Sequence, residues 1–321
     1  SEINSGKIDP IEVEQHLSIV ALVGSNMKSQ VGISGQMFSV LGRNGINIKT
    51  IAQGSSERNI TVVIQKRHLK KALNALHESF FIEEIKKVNL FIIGLGNVGK
   101  AFLEQVSNQQ VYLLDKLNMK LAIIGAANSR TMLFDEQGLD PVVFMEELPK
   151  SESFDQAAFL EKMRTLNLRN SIFIDITASA TVAEIYEEVL KESISVVTPN
   201  KIAATREYRH YSLLKSLSKK YKSQFLFETN VGAGLPVLST LSDLVKSGDQ
   251  IIKIEAVLSG TLNFIFNNYD GNIPFVEVVK LAKKEGYTEP DPRLDLSGED
   301  VMRKILILAR ESGYQFDMDE V

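Results

Sequence analysis

The sequence predicts an α/β protein with more than one domain. Its 321 residues are enough for about two ordinary domains. The first part alternates strand-like and helix-like apolar patterns in the order β-α-β-β-α. Residues 88–93 form an apolar, strand-like run that leads directly into a glycine-rich turn at residues 94–99, and a helical pattern follows. These features favour a small split unit followed by a doubly wound sheet.

The composition indicates an ordinary globular core and excludes several kinds of site. Hydrophobic residues make up 44% of the chain, and the net charge is only -4. This balance gives no reason to expect a nucleic-acid or membrane partner. No apolar run reaches the roughly 18 residues of a membrane span, and no signal-peptide pattern is present. The chain has no cysteine, which excludes disulfides, thiolate metal sites and cysteine nucleophiles. We expect a cytoplasmic protein, and Ser1 in first position suggests processing or excision from a longer chain.

The first domain follows a polar tail, which we expect to span residues 1–16. Apolar runs and helical stripes then predict a strand at 17–23, a helix around 33–41, strands at 46–52 and 60–65, and a helix at 69–80. This order is typical of a ferredoxin-like split unit.

The nucleotide-binding prediction depends on the order strand, Gly-x-Gly-x-x-Gly, helix at residues 88–106. Glycine lets the backbone turn tightly and approach a pyrophosphate closely, and the helix N-terminus offers unpaired N–H groups to the phosphates. The pattern predicts a Rossmann domain that binds NAD(P).

The second strand of this domain, at residues 120–125, ends without the acidic residue that often binds the ribose 2′-hydroxyl of NAD. Asp115 lies before the strand. Arg130, just after it, is placed to neutralise a 2′-phosphate. We therefore predict a preference for NADP, with NAD tolerated; the alternative is that Arg130 is a solvated loop cation.

Two further strands, at residues 171–176 and 194–197, end in polar loops. Because ligands of open α/β sheets bind beyond the carboxyl ends of the strands, these loops belong to the expected site. They carry Thr177, Ala178, Asn200 and Lys201.

The first domain resembles an ACT domain, specifically the last ACT domain of aspartokinases. The residues that carry the resemblance are 31–34, 44–48 and 51–58. It implies a small-amino-acid sensor that pairs edge to edge, with threonine as the expected effector and Asn47 and Gln53 as effector-site candidates. The alternative is that Asn47 satisfies a turn and Gln53 a strand edge.

From about residue 88 onward the chain resembles homoserine dehydrogenase. The matching motifs are residues 97–99, 127–129, 198–201, 229–236, 258–262, 286–293 and 295–298, followed by Asp300, Arg303 and Lys304. An ACT domain joined directly to such an enzyme resembles the bifunctional aspartokinase–homoserine dehydrogenases. Their kinase domain and first ACT domain are absent from this chain, so we expect no kinase activity.

The resemblance implies reversible reduction of aspartate 4-semialdehyde to homoserine with NAD(P)H. A lysine suits this reaction because an ammonium can donate a proton and can stabilise a developing alkoxide. The implied catalytic residues are Lys304 and Lys201, and the implied substrate-binding residues are Glu289, Asp300, Asp295, Thr261 and Tyr287. The expected cofactor contacts are Gly94, Gly96, Asn97, Val98, Gly99, Asn128, Ser129, Arg130, Thr177, Ala178 and Lys201.

Two parts of this site have ordinary alternatives. Asp300 and Lys304 are spaced i, i+4, which is also the spacing of a helix-surface ion pair. The resemblance further implies a monovalent cation such as Na⁺, held by Glu228 and by the carbonyls of Val231 and Ala233. The glycines around these carbonyls would otherwise serve the turn alone.

The predicted domains are residues 17–87 (ACT-like), 88–224 (Rossmann) and 225–321 (the start of an α+β substrate and dimerisation domain). In the last of these we predict a strand at residues 253–258, with Thr261 at its end. Leu294 stands where many relatives have a second acidic residue. The chain ends one helix after Lys304, whereas relatives continue, so we expect an incomplete substrate domain.

Two other functions compete with this interpretation. Aspartate-semialdehyde dehydrogenase needs a thiol nucleophile, which a chain without cysteine cannot supply. The other is an amino-acid-sensing ACT module attached to an inactive, truncated dehydrogenase scaffold. In either case we expect a homo-oligomer, formed through the ACT edge strands and the sheet of the substrate domain.

Overall fold

The structure, a computed structural model, describes residues 12–24, 27, 31–54, 58–81, 85–288 and 291–321, with the backbone alone described at 142, 143, 145 and 294. Within these ranges no helix combines the length and apolar character needed to cross a membrane.

The first unit is a three-stranded antiparallel sheet with two helices. Its elements are β1 (Leu17–Val23), α1 (Ile33–Arg43), β2 (Ile48–Gln53), β3 (Asn59–Gln65) and α2 (Leu69–Phe81). The strand order is β1-β3-β2, so β2 is an edge strand. Met37, Leu41, Val62 and Ile64 are fully buried between the sheet and the helices. This confirms the predicted β-α-β-β-α order, with bounds that differ from the prediction by one or two residues.

The second unit is a seven-stranded sheet. Its strands are β4 (Lys86–Ile93), β5 (Met119–Ala127), β6 (Thr131–Leu139), β7 (Glu152–Ser153), β8 (Ser171–Asp175), β9 (Ser195–Val197) and β10 (Phe225–Leu226). Their order is β10-β9-β8-β4-β5-β6-β7. The five strands from β10 to β5 are parallel, whereas β6 pairs antiparallel with β5 and β7 pairs antiparallel with β6.

Helices cover both faces of this sheet. They are α3 (Asn97–Leu117), α4 (Pro141–Glu147), α5 (Gln156–Leu166), α6 (Ala180–Glu184), α7 (Tyr186–Lys191), α8 (Ile202–Thr205) and α9 (Tyr208–Tyr221). Neighbouring residues of β4 pack in the cores on opposite faces of the sheet. Phe91 belongs to one core and Ile92 to the other. This is why β4 is apolar along its length. Since β5 and β8 flank β4 on opposite sides, the chain reverses its winding here, which opens a crevice at the carboxyl ends of the strands.

Helices make up the rest of the regular structure: α10 (Val237–Lys246), α11 (Gly260–Asn268), α12 (Phe275–Lys284), α13 (Pro292–Leu296) and α14 (Glu299–Glu311). The predicted strand at residues 253–258 is wrong, because residues 251–259 have no regular structure. No described strand lies beside this segment to pair its backbone, and Ile252 is 97% exposed. Thr261 accordingly lies in the first turn of α11 rather than at a strand end.

The first unit contacts the second unit at the amino-terminal ends of the strands of its sheet. Asn167 Nδ2 donates a hydrogen bond of 3.2 Å to the carbonyl of Arg67. Arg169 donates to the carbonyl of Asn74 over 2.9 Å and forms an ion pair with Glu78. Because residues 167–169 immediately precede β8, this contact lies at the edge of the sheet opposite the glycine turn.

Candidate functional site

The glycine turn joins β4 to α3, and its first and last glycines are required sterically. Gly94 has φ 109°, and a Cβ there would lie 2.4 Å from the carbonyl oxygen of Ile176. A Cβ at Gly99 would lie 2.2 Å from the carbonyl oxygen of Gly94. A Cβ at Gly96 would meet nothing within 4 Å, and no side chain caps α3 there. The open side of Gly96 and the uncapped helix N-terminus fit a pyrophosphate.

The turn after β5 holds the residues predicted to discriminate between NAD and NADP. Asn128 Oδ1 accepts hydrogen bonds from the backbone N–H groups of Arg130 (2.7 Å) and Thr131 (2.8 Å). This side-chain turn leads the chain into β6, which the sequence analysis did not predict. Ser129 and Arg130 are exposed beyond the end of β5.

A buried polar network joins the ends of β8 and β9. Asp175 is completely buried, and its carboxylate accepts from the Tyr186 hydroxyl (2.5 Å), from Asn200 Nδ2 (3.0 Å) and from the backbone N–H of Thr177 (2.8 Å). Burial raises the pKa of Asp175, although these hydrogen bonds oppose the shift.

The same network fixes the loop that carries Lys201. Thr198 Oγ1 donates to the carbonyl of Asp175 over 2.9 Å and accepts from the backbone N–H of Asn200 over 2.8 Å. Sequence reasoning missed Asp175, Tyr186 and Thr198 as parts of the site. An aspartate at the last position of an apolar strand was the one available signal, because burying a carboxylate requires hydrogen-bond donors.

The structure brings together three of the predicted residues, which are distant in sequence. Asp300 Oδ1 lies 3.2 Å from Lys201 Nζ, and Asp300 Oδ2 lies 2.7 Å from Lys304 Nζ. Lys304 Nζ also donates to the carbonyl of Leu258 over 2.6 Å. The lysine side chains are only 24% and 19% exposed, so both ammonium groups are held in place rather than solvated.

The electrostatics of this cluster favour the carboxylate form of Asp300. Burial opposes its ionisation, but the hydrogen bond from Lys304 and the positive charges of Lys201 and Lys304 outweigh burial and lower the pKa of Asp300. The cluster borders a cavity of about 350 Å³ that Thr177 and Asn200 also line. Of the two ammonium groups, that of Lys201 lines this cavity, together with the Glu299–Arg303 ion pair, and its positive charge suits a carbonyl oxygen that gains negative charge.

A second cluster surrounds Thr261. Its hydroxyl lies 2.5 Å from the carbonyl oxygen of Tyr287 and 2.9 Å from Asp295 Oδ1. The ring of Tyr287 stacks on Phe264 with centroids 4.3 Å apart. Thr261 is buried and thus ties α11 to α13.

The other predicted residues are distributed over the molecule. Glu289 lies outside the described residues. Asn47 immediately precedes β2, Gln53 ends it, and both are exposed on the edge strand of the first sheet. The carboxylate of Glu228 accepts from the backbone N–H groups of Leu238 and Ser239, each over 2.8 Å, and so caps α10.

The carbonyl donors predicted with Glu228 lie in the next turn. Val231 is buried, and Ala233 has a positive φ of 52°. Nowhere in the described ranges do three or more His, Asp or Glu side chains group as a metal site would require.

Comparison with known families divides the chain into three matched regions. Residues 20–80 match an ACT domain, residues 94–228 match the homoserine dehydrogenase NAD-binding domain, and residues 236–321 match homoserine dehydrogenase itself.

Individual relatives agree with these matches. The chain is 42% identical to a bifunctional aspartokinase/homoserine dehydrogenase of Haemophilus influenzae, over 100% of this chain and 39% of the relative. It is 40% identical to a chloroplastic enzyme of the same name from Zea mays, over 99% of this chain and 35% of the relative. The chain thus spans under two fifths of the length of these curated relatives.

A solved structure with a similar fold is a mutant of a hyperthermophilic archaeal homoserine dehydrogenase in complex with NADPH. It matches with a TM-score of 0.61 and 26% identity, over 71% of this chain and 70% of that one. The fold, the glycine turn and all three matched regions lead to the same assignment: the chain belongs to the homoserine dehydrogenase family, with an ACT domain ahead of its NAD-binding domain.

Proposed function

We propose that this chain is the dehydrogenase portion of a bifunctional aspartokinase–homoserine dehydrogenase and catalyses the reversible reduction of L-aspartate 4-semialdehyde to L-homoserine. The observation that carries the proposal is the placement of Asp300 between Lys201 and Lys304, beside a cavity at the carboxyl ends of the strands of the NAD-binding sheet. The names of the curated relatives support the same reaction.

Each part of the reaction has a counterpart in the chain. The bound nicotinamide would supply the hydride that reaches the aldehyde carbon. The aldehyde oxygen needs positive charge and then a proton, and the ammonium groups of Lys201 and Lys304 are suited to both. Asp300 holds the two ammonium groups at fixed positions, so the positive charge is in place before the reaction begins.

The substrate carries an α-ammonium and an α-carboxylate as well as the aldehyde. Acidic side chains suit the ammonium, and we assign it to Glu289 and Asp295 together with Asp300. Thr261 and Tyr287 support this end of the substrate, because the Thr261 hydroxyl lies 2.9 Å from Asp295.

The cofactor we propose is NADP, with NAD accepted more weakly. The turn after β5 presents Arg130 and no carboxylate. The test is the ratio of the KM values for NADPH and NADH in the wild type and in Arg130→Ala. We expect the preference for NADPH to fall, whereas Lys116→Ala, at the far end of α3, should leave the ratio unchanged. An unchanged ratio in Arg130→Ala would refute the assignment.

A monovalent cation such as Na⁺ is a further proposal for Glu228 and the carbonyls of Val231 and Ala233. Hard oxygen donors suit such an ion, and the Glu228 carboxylate retains lone pairs beyond the two that accept from α10. Replacing Na⁺ with choline at constant ionic strength should lower turnover; equal turnover in both salts would exclude the ion.

The ACT domain is proposed to bind threonine near Asn47 and Gln53, and its edge strand β2 to pair with a second copy of the chain. Light scattering at micromolar protein should then give the mass of a dimer or a larger oligomer. A monomer would contradict the pairing.

The competing hypothesis is a regulatory module without dehydrogenase activity. Semialdehyde reduction and the binding of threonine and NADPH, measured by calorimetry on the same preparation, separate the two functions. Turnover supports the proposed enzyme. Threonine binding without turnover, by a chain that still binds NADPH, supports the module.

A further inference from the structure

A second cavity lies between the ACT domain and the NAD-binding sheet, at the edge of the sheet opposite the glycine turn. It has a volume of about 520 Å³ and is bounded by α1, α2 and the amino-terminal ends of β4, β8 and β9. Four of the residues that line it are cationic: Arg43, Lys71, Lys86 and Lys222. The one carboxylate in its wall is Glu78, which is already paired with Arg169.

Lys71 is the unusual member of this set. It is 8% exposed, yet among the described residues its ammonium has neither an ion-pair partner nor a hydrogen-bond acceptor. The exposed neighbour Lys70, by contrast, is paired with Glu136. Since burying an unpaired ammonium is costly, a lysine at this position needs a counter-charge. Glu192 acts on Lys71 through its charge without forming an ion pair.

The protonation state of Lys71 is compatible with binding an anion. Burial lowers the pKa of Lys71 to about 8, and the charge of Glu192 opposes the shift. Burial also lowers the pKa of His68, just before α2, and the positive charges of Arg67 and Lys71 lower it further. Most Lys71 side chains therefore carry a proton at neutral pH and face the cavity as cations.

We propose that this cavity, here called the seam cavity, binds a small oxyanion, with Lys71 as the buried counter-ion and Arg43, Lys86 and Lys222 at its rim. Phosphate and small dicarboxylates are both compact dianions, and either would match the positive charge of this cavity. A zwitterionic amino acid fits poorly, since its ammonium would enter a cation-rich space. The site is thus distinct from the threonine site proposed on β2, and its occupant bridges the ACT domain and the NAD-binding sheet.

The test is calorimetry on the whole chain in a phosphate-free buffer, with inorganic phosphate and malonate as probes and with sodium chloride at matched ionic strength as the blank. We expect at least one probe to bind, and Lys71→Met to weaken it by about tenfold or more, because a charge-assisted hydrogen bond is lost. The matched control is Lys70→Met on the same helix, which should bind as the wild type does. The tighter probe identifies the source as phosphate or carboxylate.

A second variant tests the same cavity without altering its buried interior. Lys222→Gln removes an exposed rim cation without touching the interior, and it should weaken the same probe several-fold. The proposal is overturned if neither probe binds, or if the probe binds Lys71→Met or Lys222→Gln as tightly as the wild type. If the seam cavity binds no anion, the dehydrogenase proposal is unaffected, because the dehydrogenase site lies at the opposite edge of the sheet.

Discussion

Asp175 and Asp300 lie on either side of the Lys201 loop, and their pKa values are shifted in opposite directions. Asp175 is fully buried with neutral donors around it, so burial dominates and its pKa rises. Asp300 is half exposed beside two ammonium groups, so their hydrogen bonds and charges dominate and its pKa falls. The first carboxyl thus positions a loop, whereas the second remains an anion that holds the two ammonium groups.

The shift at Asp300 predicts a pH dependence. A carboxyl whose folded pKa is lowered stabilises the protein above its ordinary pKa of 3.8, and the contribution is lost as the pH falls through the lower, folded pKa. We therefore expect NMR titration of the Asp300 carboxyl to give a midpoint below 3.8. In Lys304→Met that midpoint should move upward. A wild-type midpoint at or above the ordinary value would contradict the ion-pair geometry.

Lys71 predicts a stabilising substitution. Its folded pKa is about 8 against an ordinary 10.5, so its burial penalty is full below pH 8 and disappears as the pH rises toward 10.5. In anion-free buffer at pH 7, Lys71→Met should raise the free energy of unfolding by about 3 kcal/mol, because the pKa of the lysine falls from 10.5 to about 8 in the folded protein.

Denaturant unfolding at pH 7 and pH 10 measures this effect, with Lys70→Met as the control. The gain in the free energy of unfolding should be smaller at pH 10 than at pH 7 for Lys71→Met, and Lys70→Met should show no such change. Because His68 and Glu192 also act on this position, the comparison between the two lysine variants, rather than the absolute pH profile, is the informative quantity. If Lys71→Met were less stable than the wild type at pH 7, the predicted burial penalty of Lys71 would be contradicted.

At the scale of elements, the sequence predicted those that form through their own apolar pattern. The first unit and strands β4, β5, β8 and β9 were identified because each carries an uninterrupted strand or helix periodicity. β6 was missed, since its outer part is polar and exposed and it exists through pairing with β5. Residues 253–258 carry a strand-like pattern, but no described strand lies beside them to pair with, so pattern alone was insufficient there.

The glycine turn gives a prediction with an internal control. Gly96→Ala should keep the stability within about 0.5 kcal/mol, because a Cβ there meets nothing, but it should weaken NADPH binding by occupying the space of the pyrophosphate. Gly99→Ala should instead destabilise the fold by about 1–3 kcal/mol, because the added Cβ collides with the backbone of Gly94.

Thermal unfolding and NADPH titration of both variants separate the two roles. If Gly96→Ala bound NADPH with undiminished affinity, the proposed path of the pyrophosphate would be wrong.

At the scale of the whole molecule, the two proposed sites occupy opposite edges of one sheet. The carboxyl ends carry the glycine turn and the Lys201 loop, and the amino-terminal ends meet the ACT domain at the seam cavity. An anion in that cavity would hold the ACT domain against the NAD-binding sheet.

The parts of the candidate site differed in how far the sequence could predict them. Lys201, Asp300 and Lys304 were named in advance through family motifs, and the structure brings them together across about a hundred residues of chain. Their support by Asp175, Tyr186 and Thr198 had only one sequence signal, the aspartate at the end of an apolar strand, because the support depends on which loops meet at the edge of the sheet. The seam cavity is a feature of domain packing and carries no local sequence signal.

The central claim is that the lysines held by Asp300 provide the proton or the positive charge for the aldehyde oxygen. It is tested most directly by homoserine-dependent reduction of NADP⁺, measured for the wild type, Lys201→Ala, Lys304→Ala and the exposed control Lys219→Ala. We predict that the control matches the wild type and that at least one of the other two variants loses about 10²-fold or more in kcat while still binding NADPH. Near-normal kcat in both Lys201→Ala and Lys304→Ala would contradict the account.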